Sequence, residues 1–419
     1  MKLLFLMIAL VPALAYSQET VPDSVESCPQ KDISEVVRGA LNKPPKADSD
    51  NAGSILLVPV IGSNPATGFV VGVGGQYAFK LSGENTRYSM VSGSVQFTTK
   101  DQQLFLLKNS IYTKNNNIFF MGDWRYMVYS QNTYGLGTNA PEGGILDYQY
   151  GLSGHETSQD SLAQPLKFNY LRFYQTAVFR LKKSFYVGMG YYLDSYSNIR
   201  DEKLRLNPGD SLITSHYAYS THYGFDQQKY QASSLGITLI SDTRDNMLNP
   251  YKGHFAVISW NGNFFGSDSF SHFISLEWRS FHSLSKTNPR HLMAFWLMGD
   301  FMRQGEIPYL ILPATSYDQR SRSGRGYTQG RFRGNQLLYG EAEYRFPISC
   351  SGLWGGVLFA NATSANNPQA SLNLLESVKP GYGFGFRLAI DKKSRTNLSI
   401  DFGFGEKSFG FYLAASETF

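Results

Sequence analysis

Residues 379–419 read KPGYGFGFRLAIDKKSRTNLSIDFGFGEKSFGFYLAASETF. The stretch divides into three strands, near 380–390, 395–406 and 408–419, separated by a DKKSR turn and a GEKS turn. In the first, Tyr382, Phe384, Phe386, Leu388 and Ile390 share one face, while Gly381, Gly383, Gly385, Arg387 and Ala389 share the other. In the second, Leu398, Ile400, Phe402 and Phe404 oppose Asn397, Ser399, Asp401 and Gly403. Successive side chains in a strand point to opposite faces, so one face here is aromatic and the other is small, polar or singly charged. A soluble sandwich would pair an aliphatic face with a richly charged one. An aromatic face opposite a small polar one is what a barrel with a lipid-facing exterior and a polar lumen requires.

Working outward from that hairpin, the composition is compatible with the same reading. Charged residues make up 17% of the 419-residue chain, aromatics 15%, and there are 40 glycines. Mean hydropathy is −0.27, which would not flag a membrane protein, but only every second residue of a barrel strand meets lipid. Beyond the N-terminus no stretch approaches the roughly 18 consecutive apolar residues of a spanning helix. The net charge of +5 is small and dispersed, so no nucleic-acid partner is expected.

Residues 1–17 read as a secretory signal: Lys2 is the charged segment, Leu3 to Leu14 the apolar one, and Ala13, Ala15 and Ser17 supply small residues for cleavage. Residues 18–52 form a polar leader with one helical pattern at about 32–42, where Ile33, Val36, Val37, Ala40 and Leu41 recur at helical spacing. Asp32 and Glu35 there have the form of a capping box. Residues 53–419 then read as strand, turn, strand. Counting back from Phe419, strands are expected near 408–419, 395–406, 380–390, 353–363, 336–348, 291–302, 270–282, 254–266, 231–242, 185–197, 168–181, 143–152, 118–128, 103–112, 87–99 and 66–79. Sixteen is an even number, as a closed antiparallel barrel with both termini on the periplasmic side needs. Tight turns such as LKKS (181–184) would be periplasmic and the long connections near 198–230 and 303–335 external. The expected fold is therefore all-β, a sixteen-stranded antiparallel transmembrane barrel in the outer membrane of a Gram-negative cell. Outer-membrane lipid and lipopolysaccharide would be its surroundings.

Two further segments stand out: SDTRDNMLNPYKGHF (241–255) and SRSGRGYTQGRFRGNQLLYGEAEYRFPI (321–348). Together with the final hairpin and the terminal Phe419, they resemble the bacterial surface antigen family, the barrels of BamA, TamA and the two-partner secretion transporters. The Arg325-Gly326-Tyr327 loop precedes five strands, the order found in that family. The resemblance implies that this loop folds into the lumen and that Arg325 pairs with a carboxylate on the inner wall, Glu343 first, with Glu341 and Asp401 as substitutes. Gly326 would let the backbone turn closely and Tyr327 would wedge. Asp242, Arg244 and Asp245 are expected to build a turn and its salt bridges. The other four arginines of 320–333 are expected on an ordinary external loop contacting lipopolysaccharide phosphates. Phe419, with Phe411 on the same lipid face, resembles the terminal signal by which assembly machinery recognises a barrel, making this chain a client of that machinery.

The chain departs from the family pattern at 357–365, VLFANATSA, where Asn361 and Thr363 stand in place of an acidic residue and a glycine. It also leaves only 35 to 45 residues between Ser17 and the first expected strand, too few for a POTRA domain. The resemblance implies protein or lipid assembly or translocation with partner proteins, through a weak seam between the first and last strands. The alternative is a passive channel or structural barrel. Neither metal-ligand spacing nor a GxSxG motif accompanies the seven histidines, so no catalytic site, metal or cofactor is expected; His216 and His222 read as surface residues. Cys28 and Cys350 both fall on the periplasmic side of this topology, where they could form a disulfide or remain two free thiols.

Overall fold

A computed structural model describes residues 28–44, 53–64, 68–81, 86–140, 163–265 and 270–419. The signal segment expected at 1–17 and the strand expected at 143–152 lie outside the described residues. One sheet of sixteen strands dominates: β1 (Ser54–Asn64), β2 (Gly68–Phe79), β3 (Ser89–Thr98), β4 (Gln103–Tyr112), β5 (Ile118–Thr133), β6 (Gln164–Lys182), β7 (Phe185–Asp201), β8 (Tyr230–Asp242), β9 (Gly253–Phe265), β10 (Ser271–Ser283), β11 (Leu292–Gln304), β12 (Gln336–Pro347), β13 (Trp354–Ala365), β14 (Lys379–Asp391), β15 (Thr396–Gly405) and β16 (Ser408–Ala414). Every strand pairs antiparallel with its neighbours in chain order.

The number is the expected one, but the set is not. β5 pairs directly with β6 along its length, which leaves no place in the sheet for a strand between them. The sixteenth member is instead β1, SILLVPVIGSN. Its apolar residues run without alternation and are interrupted by Pro59, which hides it from a pattern search of period two. Proline, lacking an N–H, is in strand interiors confined to free edges and bulges, and among the described residues β1 pairs only with β2.

The sheet must curl. Lys108 of β4 donates to Ser321 (3.3 Å), and Gly326 N–H donates to Tyr412 Oη of β16 (2.9 Å). Those strands are twelve ladder steps apart, about 57 Å in a flat sheet at ~4.8 Å per step. Ser321 and Gly326 are five residues apart, at most about 18 Å of chain. Only a sheet wrapped around the loop satisfies both contacts. Large apolar residues such as Leu235, Ile237, Leu239, Phe384 and Phe411 face outward, while Thr238, Ile240, Arg387 and Asp401 are buried inward.

β16 ends at Ala414 rather than at Phe419, and residues 415–419 turn into the interior. Phe419 is 2% exposed and packs on Trp296 and Phe281, with ring centroids 5.4 and 6.2 Å away. The expectation of a lipid-facing Phe419 is corrected; Phe411 does face outward. The reason lies in Glu417. Continued as a strand, the tail would put Glu417 in the same outward row as Phe411 and Leu413, against hydrocarbon. Turned inward, it meets Arg387 (2.7 Å) and Asn397 (2.7 Å).

The leader carries α1 (Ile33–Ala40), with the Asp32–Glu35 capping box in place. Cys28 and Cys350 are bonded, Cα atoms 5.8 Å apart. Lys392, in the β14–β15 turn, reaches Glu35 (2.6 Å) and gives its N–H to Asp32 (3.1 Å). The polar N-terminal end of α1 thus docks on the short-turn end of the sheet, and its apolar residues Val36, Val37 and Leu41 stay exposed. At the opposite end the β7–β8 connection holds a small hairpin (205–207 with 210–212) and α2 (Ser215–Tyr223).

Candidate functional site

The β11–β12 connection, residues 305–335, runs into the lumen, and its deepest point is Arg325, wholly buried. β12 alternates Leu337, Tyr339, Glu341, Glu343 and Arg345 inward, so two carboxylates sit one above the other on its inner face. Arg325 Nε and Nη2 donate to Glu341 (3.1 and 2.6 Å), Nη2 also to Glu343, and Nη1 to Asp401 of β15 (2.9 Å). The guanidinium lies 3.5 Å from the Phe359 ring centroid. All three carboxylates considered from sequence therefore meet Arg325 at once. A planar fork of five donors can serve several acceptors with fixed directions, which a lysine could not.

Asn361, at the position where the family pattern has an acid, contributes differently. Its Nδ2 donates 3.0 Å to the Arg325 carbonyl, holding the backbone rather than the charge. The backbone lies against glycines. A Cβ on Gly381 would come 2.7 Å from the Arg325 carbonyl, and one on Gly403 2.7 Å from Gly326 N. Gly326 itself has φ +100° and its Cβ would strike the Phe404 backbone. The inward glycines of β14 and β15 are thus a cradle for the loop, not merely small lumen residues. Tyr327 donates to the Pro380 carbonyl (2.7 Å), accepts from Glu406 N–H (3.0 Å) and packs on Phe332.

The C-terminal tail completes the network. Arg387 joins Asp401 (2.6 Å) to Glu417 (2.7 Å), and Arg345 joins Glu343 (2.7 Å) to the Phe419 main-chain carbonyl (3.1 Å). Glu417, Arg345, Arg387 and Tyr412 belong to this site and were not singled out from sequence. The signal for them was parity: each arginine shares an inward row with a glycine or a carboxylate.

Asp242 and Arg244 form a second buried group at the short-turn end. Asp242 accepts from Arg244 Nη2 (2.8 Å) and Tyr112 (2.5 Å) and pairs with Arg87 (2.8 Å). Asp245 pairs with Arg395 of the β14–β15 turn (2.7 Å). The segment ties β8 to β4 and to that turn. The remaining loop arginines are not set outward as expected. Arg331 and Arg333 are buried, and Arg333 donates to the Tyr309 and Leu312 carbonyls (2.9 and 3.1 Å). His216 is also buried, its Nε2 3.4 Å from Tyr230 Oη, while His222 is exposed. Burial and the nearby Arg333 push the His216 imidazole down to about 4, leaving it neutral.

No family model matches the chain, and no curated protein sequence matches it. Among solved structures it is similar to the crystal structure of BamA from Haemophilus ducreyi lacking POTRA domains 1-3. That match has a TM-score of 0.48 and 15% identity over 87% of this chain and 69% of the other. It is also similar to the CymD monoaromatic hydrocarbon channel, at a TM-score of 0.30 and 11% identity over 86% of this chain and 84% of the other.

Proposed function

We propose that this chain is an outer-membrane barrel, termini periplasmic, that assists the assembly or translocation of a protein or lipid client at the seam between β1 and β16, with partner proteins for capture. One observation carries the reading: among the described residues no ladder joins β1 to β16. The two edges are also unequal, eleven residues against seven, because the tail of β16 lies inside. Unpaired strand edges are templates for an incoming strand. Pro59 suits an edge that stays open, and Ile55 and Leu57 beside it are 69% and 70% exposed. The glycine-rich strand, with Gly72, Gly74 and Gly75, is β2 and lies inside the sheet, so glycine is not what loosens the seam.

A lumen occupied by the 305–335 loop and the tail weighs against a wide passive pore. Proteoliposomes containing the purified chain should speed the folding of an unfolded outer-membrane barrel added from urea, followed by its gel mobility without boiling. A rate equal to that of empty liposomes sinks the assembly reading for protein clients. A large, steady conductance in a planar bilayer would favour the channel instead.

A further inference from the structure

Away from the Arg325 site, the first limb of the same loop meets the wall at the Tyr317 and Asp318 carbonyls, which accept from Arg172 (2.8 Å) and Arg125 (3.0 Å), without filling the space beside it. Between residues 310–320 and the inner faces of β5–β11 lies a cavity of about 280 Å³. It is at the small end of ligand clefts, which run from ~300 to 1,000 Å³, so it suits one small molecule rather than a polypeptide segment. Its wall is mixed, with Tyr174 and Tyr192 beside Ser234, Ser259 and Asn261.

The charges lining it separate into matched and unmatched. Asp123 pairs with Arg125 (2.6 Å) and Arg172 (3.4 Å), and Asp194 with Arg172 (3.2 Å). Glu277 meets Arg279 (3.0 Å). Asp318 accepts backbone N–H groups from Arg320, Arg322 and Ser323. Two groups remain. Asp300, on the inner face of β11, meets the Ser275 hydroxyl and has no cation within 4.0 Å among the described residues. The Arg320 guanidinium has no carboxylate within 4.0 Å and no hydrogen-bond partner among the described residues, though its backbone is fixed by Asp318. Asn261 Oδ1, buried in the same wall, also lacks a partner. An unpaired charge in a semi-enclosed space is costly unless something completes it.

From these two unmatched charges lining one small cavity, we infer that the lumen binds a zwitterion, a free amino acid or dipeptide, with its ammonium at Asp300 and its carboxylate at Arg320. The serine and asparagine side chains offer partners for a peptide amide, and the tyrosines a surface for its side chain. A neutral polyol would satisfy the hydroxyls but leave both charges uncompensated. Because Arg320 belongs to the loop and Asp300 to the wall, occupancy would bridge the two.

The test is calorimetry on the full chain in nanodiscs with alanyl-alanine, its N-acetyl form, its C-terminal amide and glucose. Alanyl-alanine should bind saturably, and each blocked form at least tenfold more weakly. Asp300→Asn should lose the discrimination against the N-acetyl form, and Arg320→Gln the discrimination against the amide. Circular dichroism and gel mobility would check that both variants are folded. The unmodified chain decides alone if a variant fails. No binding of alanyl-alanine, equal binding of the blocked forms, or binding of glucose only would overturn the inference.

Discussion

The two sides of the lumen solve the problem of a polar interior in opposite ways. Along β12–β16 the buried arginines 325, 345 and 387 face Glu341, Glu343, Asp401 and Glu417, and each arginine contacts at least one of these carboxylates. Along β5–β11 the wall mixes hydroxyls, amides and tyrosines with the Asp123–Arg172–Asp194 ion pairs, the loop meets it through main-chain carbonyls that accept from Arg125 and Arg172, and Asp300 and Arg320 have no charge partner within 4.0 Å among the described residues. One connection, 305–335, spans both. Ion pairs in a semi-enclosed interior add little net stability, since desolvation offsets the attraction, but their directions fix a position. The difference teaches that this loop is held by charge pairs at one limb and by main-chain and neutral contacts, beside two unmatched charges, at the other.

The largest test of that contrast is Arg325→Ala. It strands Glu341 in a closed space, takes one of two arginines from Glu343 and from Asp401, and should cost about 3–5 kcal/mol, read as a lower denaturant midpoint in detergent, with the 305–335 loop newly open to protease. An unchanged midpoint would mean the loop is not held there. Phe419→Ala comes next. A buried phenylalanine lost from a packed cluster costs roughly 3 kcal/mol or more, whereas a terminal residue on the lipid face would change stability little. Thermal unfolding by gel mobility separates the two.

Acid should loosen α2 before it disturbs the Arg325 side. The His216 value is depressed to about 4 from 6.5, so the unfolded chain takes up the proton first. Its contribution is complete above pH 6.5 and is lost as pH falls toward 4, by at most ~3 kcal/mol at about 1.4 per pH unit. Asp201, 4.0 Å from Nδ1, is raised to about 6 by burial, so the folded chain takes up a proton there as pH falls, which offsets part of that loss. Hydrogen exchange at 215–223 should rise between pH 6.5 and 4, while amides near Arg325 stay protected. A flat profile at 215–223 would remove His216 from the account.

Much of this was legible in the sequence where alternation is clean. The β14–β15 hairpin, the inward Glu341–Glu343 pair and the depth of Arg325 follow from period two and the RGY motif. What was not legible has physical causes. β1 is apolar on both faces and carries a proline, so it has no period to detect. The tail was read as a strand because Phe409, Phe411 and Leu413 alternate, although Glu417 in the same row already argued against lipid. Arg331 and Arg333 look like surface charges because a sequence does not reveal which backbone carbonyls a folded loop will leave for them. That Asp300 and Arg320 go unmatched depends on which charges find partners, and that is a property of three dimensions.

The smallest effect compares the same residue on the two sides. Asn361 and Asn261 are both inward asparagines on barrel strands. Asn361 Nδ2 holds the Arg325 carbonyl, so Asn361→Ala should leave that carbonyl unsatisfied and cost about 1–3 kcal/mol. Asn261 Oδ1 is buried without a partner, and its removal discards an unmet acceptor as well as a side chain. Asn261→Ala should therefore fall within about 0.5 kcal/mol of the parent, as substitutions that break no specific interaction do. Equal losses at the two positions would mean that the β9 wall is packed as tightly as the Arg325 cradle, and the contrast between the two sides would then fail.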